Sequence, residues 1–276
     1  MIGDGVRSQA SYWRMRPPEG VQIPAPEFPP RMEWLNVALL RMDRLIGQVV
    51  LVEFWDFARV NSLRTLPYLT AWHERYDGRG LQVIGVHSPG YSFGREREVV
   101  ERAVGRLDVG FPVLLDPRYE VWRLYGNRGW PGRYLFDRTG VLRFIHYGEG
   151  EYEATERAIQ ELLLELDPEA ELPDPVEPVR PEDAPGVMLA PQTADLSMPA
   201  DRDRLELVRD WTDGEDWIEA MDAGAAATVT WTGGGAFAVL TGDEREPGLY
   251  DTEGAIEAES PGLRLHGFQF TPKPPG

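Results

Sequence analysis

The run Val49-Val50-Leu51-Val52-Glu53-Phe54-Trp55 is β-branched or aromatic along nearly its whole length, and a helical pattern follows it from about Ser62 to Tyr76. A strand feeding directly into a helix is the unit from which α/β folds are built. The unit repeats. Leu81 to His87 reads as the next strand, and Arg95 to Leu107 as a charged amphipathic helix with Val99, Val100, Ala103 and Val104 inward. Phe111–Leu115 reads as a short strand and Tyr119–Tyr125 as a short helix. Tyr134–Asp137 and Val141–His146 read as a hairpin turning through Arg138-Thr139-Gly140, and a last helix spans Glu151–Leu166.

Around this α/β body the composition changes. The first thirty residues carry Pro17, Pro18, Pro24, Pro26, Pro29 and Pro30, which favour an extended lead-in over residues 1–31. The body occupies residues 32–166. From Asp167 to Pro199, eight prolines and eight acids face the single basic residue Arg180, the composition of an extended linker without regular secondary structure. Beyond it, Ala226–Trp231, Ala236–Leu240, Ala255–Glu259 and Leu263–Phe270 are short segments separated by Gly-rich turns, which predict a small all-β, sandwich-like domain over residues 200–276. A length of 276 residues accommodates two such domains.

Charge and cysteine content narrow the chemistry. A net charge of -18 repels phosphate backbones and anionic headgroups, so neither nucleic acid nor a membrane surface is an expected partner. With no cysteine in the chain there is no disulfide, no thiolate nucleophile and no thiolate-ligated metal. His73, His87, His146 and His266 are too scattered to spell a metal motif, and no cofactor is expected. Met1 to Pro30 holds no apolar run of signal-peptide length, which makes a cytoplasmic location the expectation.

The segment Val49 to Leu69, VVLVEFWDFARVNSLRTLPYL, resembles the active-site strand and helix of the thioredoxin superfamily. There an acidic residue, Phe and Trp close a strand, a C-x-x-C pair opens the helix, and a proline interrupts it. Glu53-Phe54-Trp55 and Pro67 occupy the corresponding positions, and the two cysteine positions fall on Arg59 and Ser62. The pattern is similar to the DipZ-like branch of the redoxins (the AhpC/TSA type), F-W-T-Y-S-C-I-N-C-L-R-T-L-P-Y-L, of which Asn61 and Leu63 to Leu69 are retained. Trp34-Leu35-Asn36, Gly85 to Pro89, Phe111-Pro112-Val113, Trp130-Pro131 and Tyr147 to Gly150 resemble the same branch in the same order. The resemblance covers residues 22 to 166 and implies a thioredoxin-like three-layer α/β/α sandwich followed by the small β domain. The stretch ending in Phe268-Gln269-Phe270-Thr271 weakly resembles the β-sandwich that follows in that branch, which is similar to carbohydrate-binding modules.

Thiol chemistry in this fold depends on a thiolate at a helix N-terminus, where the helix dipole favours negative charge. Arg59 reverses that charge and is no nucleophile at neutral pH. Asp56 and Glu53 are the candidates to compensate it. Ser62 reads as a helix cap with no base predicted beside it. Glu53 matches the family's buried acid and reads either as an acid whose pKa burial raises or as a carboxylate neutralised by Arg59 or another donor. Trp55 reads as a ring beside the old site or an ordinary core residue. Trp130-Pro131 matches the cis-proline loop, which in the family offers backbone hydrogen bonds to an extended chain. By that resemblance Trp55, Arg59, Asn61, Trp130 and Pro131 form a groove able to hold a peptide noncovalently; alternatively Trp130 merely covers a vestigial site.

The leading expectation is a redox-inactive binding or scaffolding module whose partner is a protein or peptide. One alternative is an enzyme using Glu53, Ser62 and His87. The other is a carbohydrate-binding protein that takes a glycan through the β domain. The interleaved acids and tryptophans from Asp210-Trp211 to Asp216-Trp217 fit no EF-hand spacing and read as a solvated turn over a packed Trp.

Overall fold

A computed structural model describes residues 14–18 and 20–274. The lead-in over residues 1–13 and position 19 therefore lie outside the described residues. Seven strands form the first sheet: β1 (Arg14–Met15), β2 (Glu33–Leu35), β3 (Val49–Trp55), β4 (Leu81–His87), β5 (Val113–Leu115), β6 (Gly132–Phe136) and β7 (Leu142–Tyr147). Their order is β1-β7-β6-β3-β4-β5-β2, with β3, β4 and β5 parallel and the outer pairs antiparallel. Every residue of β3 is buried because the sheet is covered on both faces, which is why its sequence runs apolar without alternation.

Four helices complete this domain: α1 (Val60–Tyr76), α2 (Arg97–Arg106), α3 (Glu120–Tyr125) and α4 (Tyr152–Leu166). On one face Val49 and Leu51 pack with Leu69 and Trp72 of α1, Val100 and Ala103 of α2, and Ile159 and Leu162 of α4. On the other, Val50, Val52 and Phe54 pack with Val121 and Tyr125 of α3 and with Phe28, Trp34 and Met42. The result is a thioredoxin-like α/β/α sandwich. Helix α2 buries Val99, Val100, Ala103 and Val104, as its periodicity predicts. The lead-in belongs to the domain: β1 pairs with β7, Pro24 bridges Val141, and Phe28 is buried.

The C-terminal domain is two packed sheets. In one, β10 (Trp211–Asp213), β11 (Ile218–Ala220), β16 (Arg264–Thr271), β13 (Gly235–Gly242) and β14 (Arg245–Thr252) follow in that order, with β8 (Leu196–Ser197) added on β16. The other is β15 (Ala255–Glu257), β12 (Ala226–Thr228) and β9 (Glu206–Val208). Ordered structure thus resumes at Leu196, four residues before the expected start at 200, because β8 finds its hydrogen-bond partners on β16. The two domains share apolar contacts, since Val239 of β13 is buried in the core of the α/β domain.

The Pro- and acid-rich segment between the domains is a docked strap whose only turn of helix is the 3-10 segment Pro181–Asp183. Proline denies it helix, and side chains of α1, of the 3-10 turn Asp77–Arg79 after it and of α4 take several of its backbone groups. Arg79 donates to Glu171 O, Arg75 to Asp174 O and Gln160 to Pro173 O, while the Val179 N–H donates to the Tyr68 hydroxyl. The buried carboxylate of Glu156 accepts from Trp72 Nε1, Arg75 and the Tyr76 hydroxyl, and at 2.7 Å from the strap amide of Val176. Glu156→Ala leaves Trp72 Nε1, the Tyr76 hydroxyl and the Val176 amide without this acceptor, and a loss of about 2 kcal/mol is expected. Proteinase K should then cleave residues 170–178 faster than in the unmodified chain. An unchanged cleavage rate would show that Glu156 does not hold the strap.

Candidate functional site

The end of β3 and the start of α1 carry the positions where cysteines would stand. Helix α1 begins at Val60, two residues earlier than its apolar pattern suggests, so Arg59 is the residue before the first turn and Ser62 lies inside it. Ser62 is therefore not the cap that sequence reasoning expects. Its buried hydroxyl accepts from the Asp56 N–H at 3.2 Å, tying the loop back onto the helix. Nor does the Arg59 side chain cap the helix. Its guanidinium is clamped between rings, 4.7 Å from the centroid of Tyr91 and 5.0 Å from that of Trp130, a cation–π arrangement that accommodates charge without a salt bridge. Gly90 makes room for it: a Cβ there would lie 2.6 Å from Arg59 Nε and 2.9 Å from Asp56 Oδ2.

Asp56 is one of the carboxylates on which this charge acts. It accepts from Ala58 N at 3.0 Å and Gly90 N at 2.7 Å, and His87 Nε2 lies 3.4 Å from its Oδ1, off the hydrogen-bond direction. Burial works against its ionisation, but His87, the Arg59 charge and the Ala58 N–H outweigh burial and hold its carboxyl below the usual range.

Glu53 is engaged elsewhere. The partner of Glu53 is Arg133 of β6, directly across the sheet in register, and not Arg59. Arg133 Nε and Nη2 donate to the two carboxylate oxygens at 3.0 and 3.3 Å, and Nη1 donates to Thr155 at 2.8 Å. The same guanidinium lies over Trp72 and Tyr152. Burial pushes the Glu53 carboxyl up and Arg133 pulls only part of that shift back, so it stays above the ordinary range. An arginine inside an otherwise apolar strand just after Trp130-Pro131 was the signal for this pair. Glu53, Ser62 and His87 share no hydrogen bond with one another among the described residues.

Of the residues expected to line a groove, Trp55, Arg59, Asn61, Trp130 and Pro131, two are buried and three are half-buried. Trp55 is fully buried beneath the loop with its ring edge on His87. Asn61 is half-buried on the first turn of α1, and Pro131 is buried behind Trp130 at a cis Trp130–Pro131 bond. The Arg59 guanidinium lies over the Trp130 ring, and Trp130 is itself fixed by its Nε1 donating to Ser88 O at 2.8 Å. Strand β16 of the C-terminal domain reaches the loop backbone on either side of Arg59. The Gln269 amide there is 1% exposed, donates to Ala58 O at 2.7 Å and accepts from Val60 N at 2.8 Å. One side chain thus takes both free backbone groups that flank Arg59. Asp216 strengthens the junction by accepting from Ser92 N at 2.6 Å and Ser92 Oγ at 2.8 Å, with His266 Nδ1 3.3 Å away. Sequence reasoning missed Gln269, for which only its place in the weakly matching Phe268-Gln269-Phe270 stretch gave a cue. In the β domain Trp211 is buried and Trp217 lies under Arg264, so neither presents a bare ring to a sugar. No group of acidic and histidine side chains among the described residues has the geometry of a metal site. Likewise, no described helix is long and apolar enough to cross a membrane.

Fold and loop together define a thioredoxin-like redoxin domain in which Arg59 and Ser62 replace the cysteine pair. Residues 22–145, just under half of the chain, match the AhpC/TSA family. Among relatives, the chain is 37% identical over 172 residues to the protein DipZ of Mycobacterium bovis, an overlap of 61% of this chain and 25% of DipZ. It is 25% identical over 145 residues to the thiol-disulfide oxidoreductase YkuV of Bacillus subtilis, covering 52% of this chain and 97% of YkuV. A solved structure described as a thiol:disulfide interchange protein DsbE from Chlorobium tepidum is similar at 24% identity with a TM-score of 0.46, covering 51% of this chain and 96% of that one. The chain thus spans about a quarter of the length of DipZ.

Proposed function

We propose that this chain is a redox-inert binding or scaffolding protein that engages a protein partner by noncovalent contacts alone, and that the loop once used for thiol exchange now joins its two domains. The observation that carries the reading is the pair of hydrogen bonds in which Gln269 donates to Ala58 O and accepts from the Val60 N–H, on either side of an arginine that stands in a cysteine position. A thiol enzyme needs that loop free for an incoming chain and a thiolate at the helix start. Here the loop is taken and the charge is reversed.

The purified chain should therefore give no turnover above a buffer blank in insulin reduction or peroxide consumption. Activity that survives repurification would refute redox inertness. A complementary expectation concerns the backbone. Arg59 and Ser62 stand at i and i+3 across the first turn of α1, a spacing compatible with the roughly 4.4–6.8 Å Cα separation of a disulfide. Arg59→Cys with Ser62→Cys should form an intramolecular disulfide in mild oxidant, read by mass spectrometry. It should remain a poor reductase, because Gln269 still covers the loop. Two persistently free thiols in a folded double variant would mean that the loop geometry has been remodelled. Rapid insulin reduction by the same variant would mean that the loop is accessible, against the proposed joint.

A further inference from the structure

The lead-in, the start of α2 and the turn after β5 frame a cavity of about 350 Å³ that His87 helps to line, within the range of small-ligand sites. His87 (1% exposed), Val100 and Leu115 line its interior, and Arg31, Arg95, Arg97 and Arg118 surround it. Four guanidiniums around one cavity run against the sign of a chain carrying a net charge of -18.

Which of these charges are committed decides what the cavity can hold. Arg97 is taken by Glu33 at 3.0 Å, and Arg95 has only the exposed Glu215 at 3.4 Å. Arg31 and Arg118 have no ion pair or hydrogen bond among the described residues. Of the lining acids, Asp116 accepts from Val121 N, Trp122 N and the Ser88 hydroxyl, and Glu33 holds Arg97. Asp116, whose donors are all neutral, and Glu120 remain to oppose Arg31, Arg118 and the weakly held Arg95, so the four lining arginines exceed the three lining acids by one charge. Arg31 moreover occupies the left-handed region at φ 72°, a conformation that costs a residue with a side chain on the order of 1 kcal/mol.

We propose that this cavity binds a small organic anion, a carboxylate or phosphate head on a compact apolar body, with Arg31 and Arg118 as its principal contacts. Guanidinium forks match the two oxygens of such a head, while Val100 and Leu115 offer the body an apolar wall. The acidic surface repels anions at long range, so capture has to come from this local reversal of sign. The site stands whether or not the chain binds a protein partner.

Calorimetric titration of the whole chain with phenyl phosphate, benzoate and inorganic phosphate tests the proposal. One-to-one binding of phenyl phosphate or benzoate is expected, at least about tenfold tighter than inorganic phosphate, and the tighter of the two identifies the preferred head. Arg31→Ala with Arg118→Ala should weaken it by at least about tenfold without moving the melting temperature. Arg31→Lys with Arg118→Lys keeps the charge but loses the fork, and should fall between. Absence of saturable binding at millimolar ligand would overturn the proposal. So would affinity indifferent to both double variants, or inorganic phosphate binding as tightly as phenyl phosphate.

Discussion

Arg133→Met should destabilise the protein by about 3–5 kcal/mol, one of the largest effects open to a single substitution outside the apolar core. Arg133 and Glu53 are both buried, and the carboxylate's two oxygens face one guanidinium. Removing the arginine leaves Glu53 in a dry interior with neither hydrogen bonds nor a countercharge, and also removes the cation lying over Trp72 and Tyr152. The deficit should depend on pH in a definite direction. Burial already holds the Glu53 carboxyl above its ordinary value, and without Arg133 it goes higher. A folded-state pKa above the unfolded one means that the folded state binds the proton more tightly. The variant should therefore lose stability as pH rises above the usual carboxylate range and be relatively more stable near pH 5 than near pH 8. Adding Glu53→Gln to Arg133→Met should recover much of the loss, because no charge then remains to be buried. Chemical denaturation of the three variants at both pH values reads all of this. An Arg133→Met protein within about 1 kcal/mol of the unmodified chain would mean that the pair contributes no more than an exposed one.

The path from residues to this architecture was short in some places and long in others. Strands β3 and β4 are found at the residues their apolar runs mark, since a strand covered on both faces leaves an uninterrupted signal. In the C-terminal domain β9, β10, β11 and β14 were not anticipated. Three of them are only three residues long, and β14 carries Pro247 and Gly248, so neither alternation nor propensity marks them. At the site, Arg59 and Ser62 could be assigned by their spacing. What surrounds them could not, because the partners are remote in sequence: Arg133 lies eighty residues from Glu53, and Gln269 lies 209 from Val60. The Pro-rich segment carries a 3-10 turn at Pro181–Asp183 and, at its end, strand β8, and its docking depends on Glu156 and Tyr68, whose roles no local pattern reveals.

The junction itself can be read at one amide. Val60 is the first residue of α1, so its N–H has no acceptor within the helix, and Arg59 supplies no side-chain cap. Its sole acceptor among the described residues is Gln269 Oε1, 2.8 Å away and contributed by the other domain. Gln269→Ala removes that acceptor and also the donor to Ala58 O. Two buried backbone groups are then left unpartnered, each at a cost of roughly 1–3 kcal/mol if water cannot reach them. Apolar packing at Val239 and the Asp216–Ser92 contacts keep the domains associated in the variant, so the loss is local. Site-resolved hydrogen exchange at Val60 is the most direct measurement. In the unmodified chain this amide should exchange at least about a hundredfold more slowly than in Gln269→Ala, while the amides of β3 remain equally protected in both. Exchange of Val60 in the unmodified chain at the rate of an exposed amide would mean that the loop is free in solution, and the redoxin site would not be the joint between the two domains.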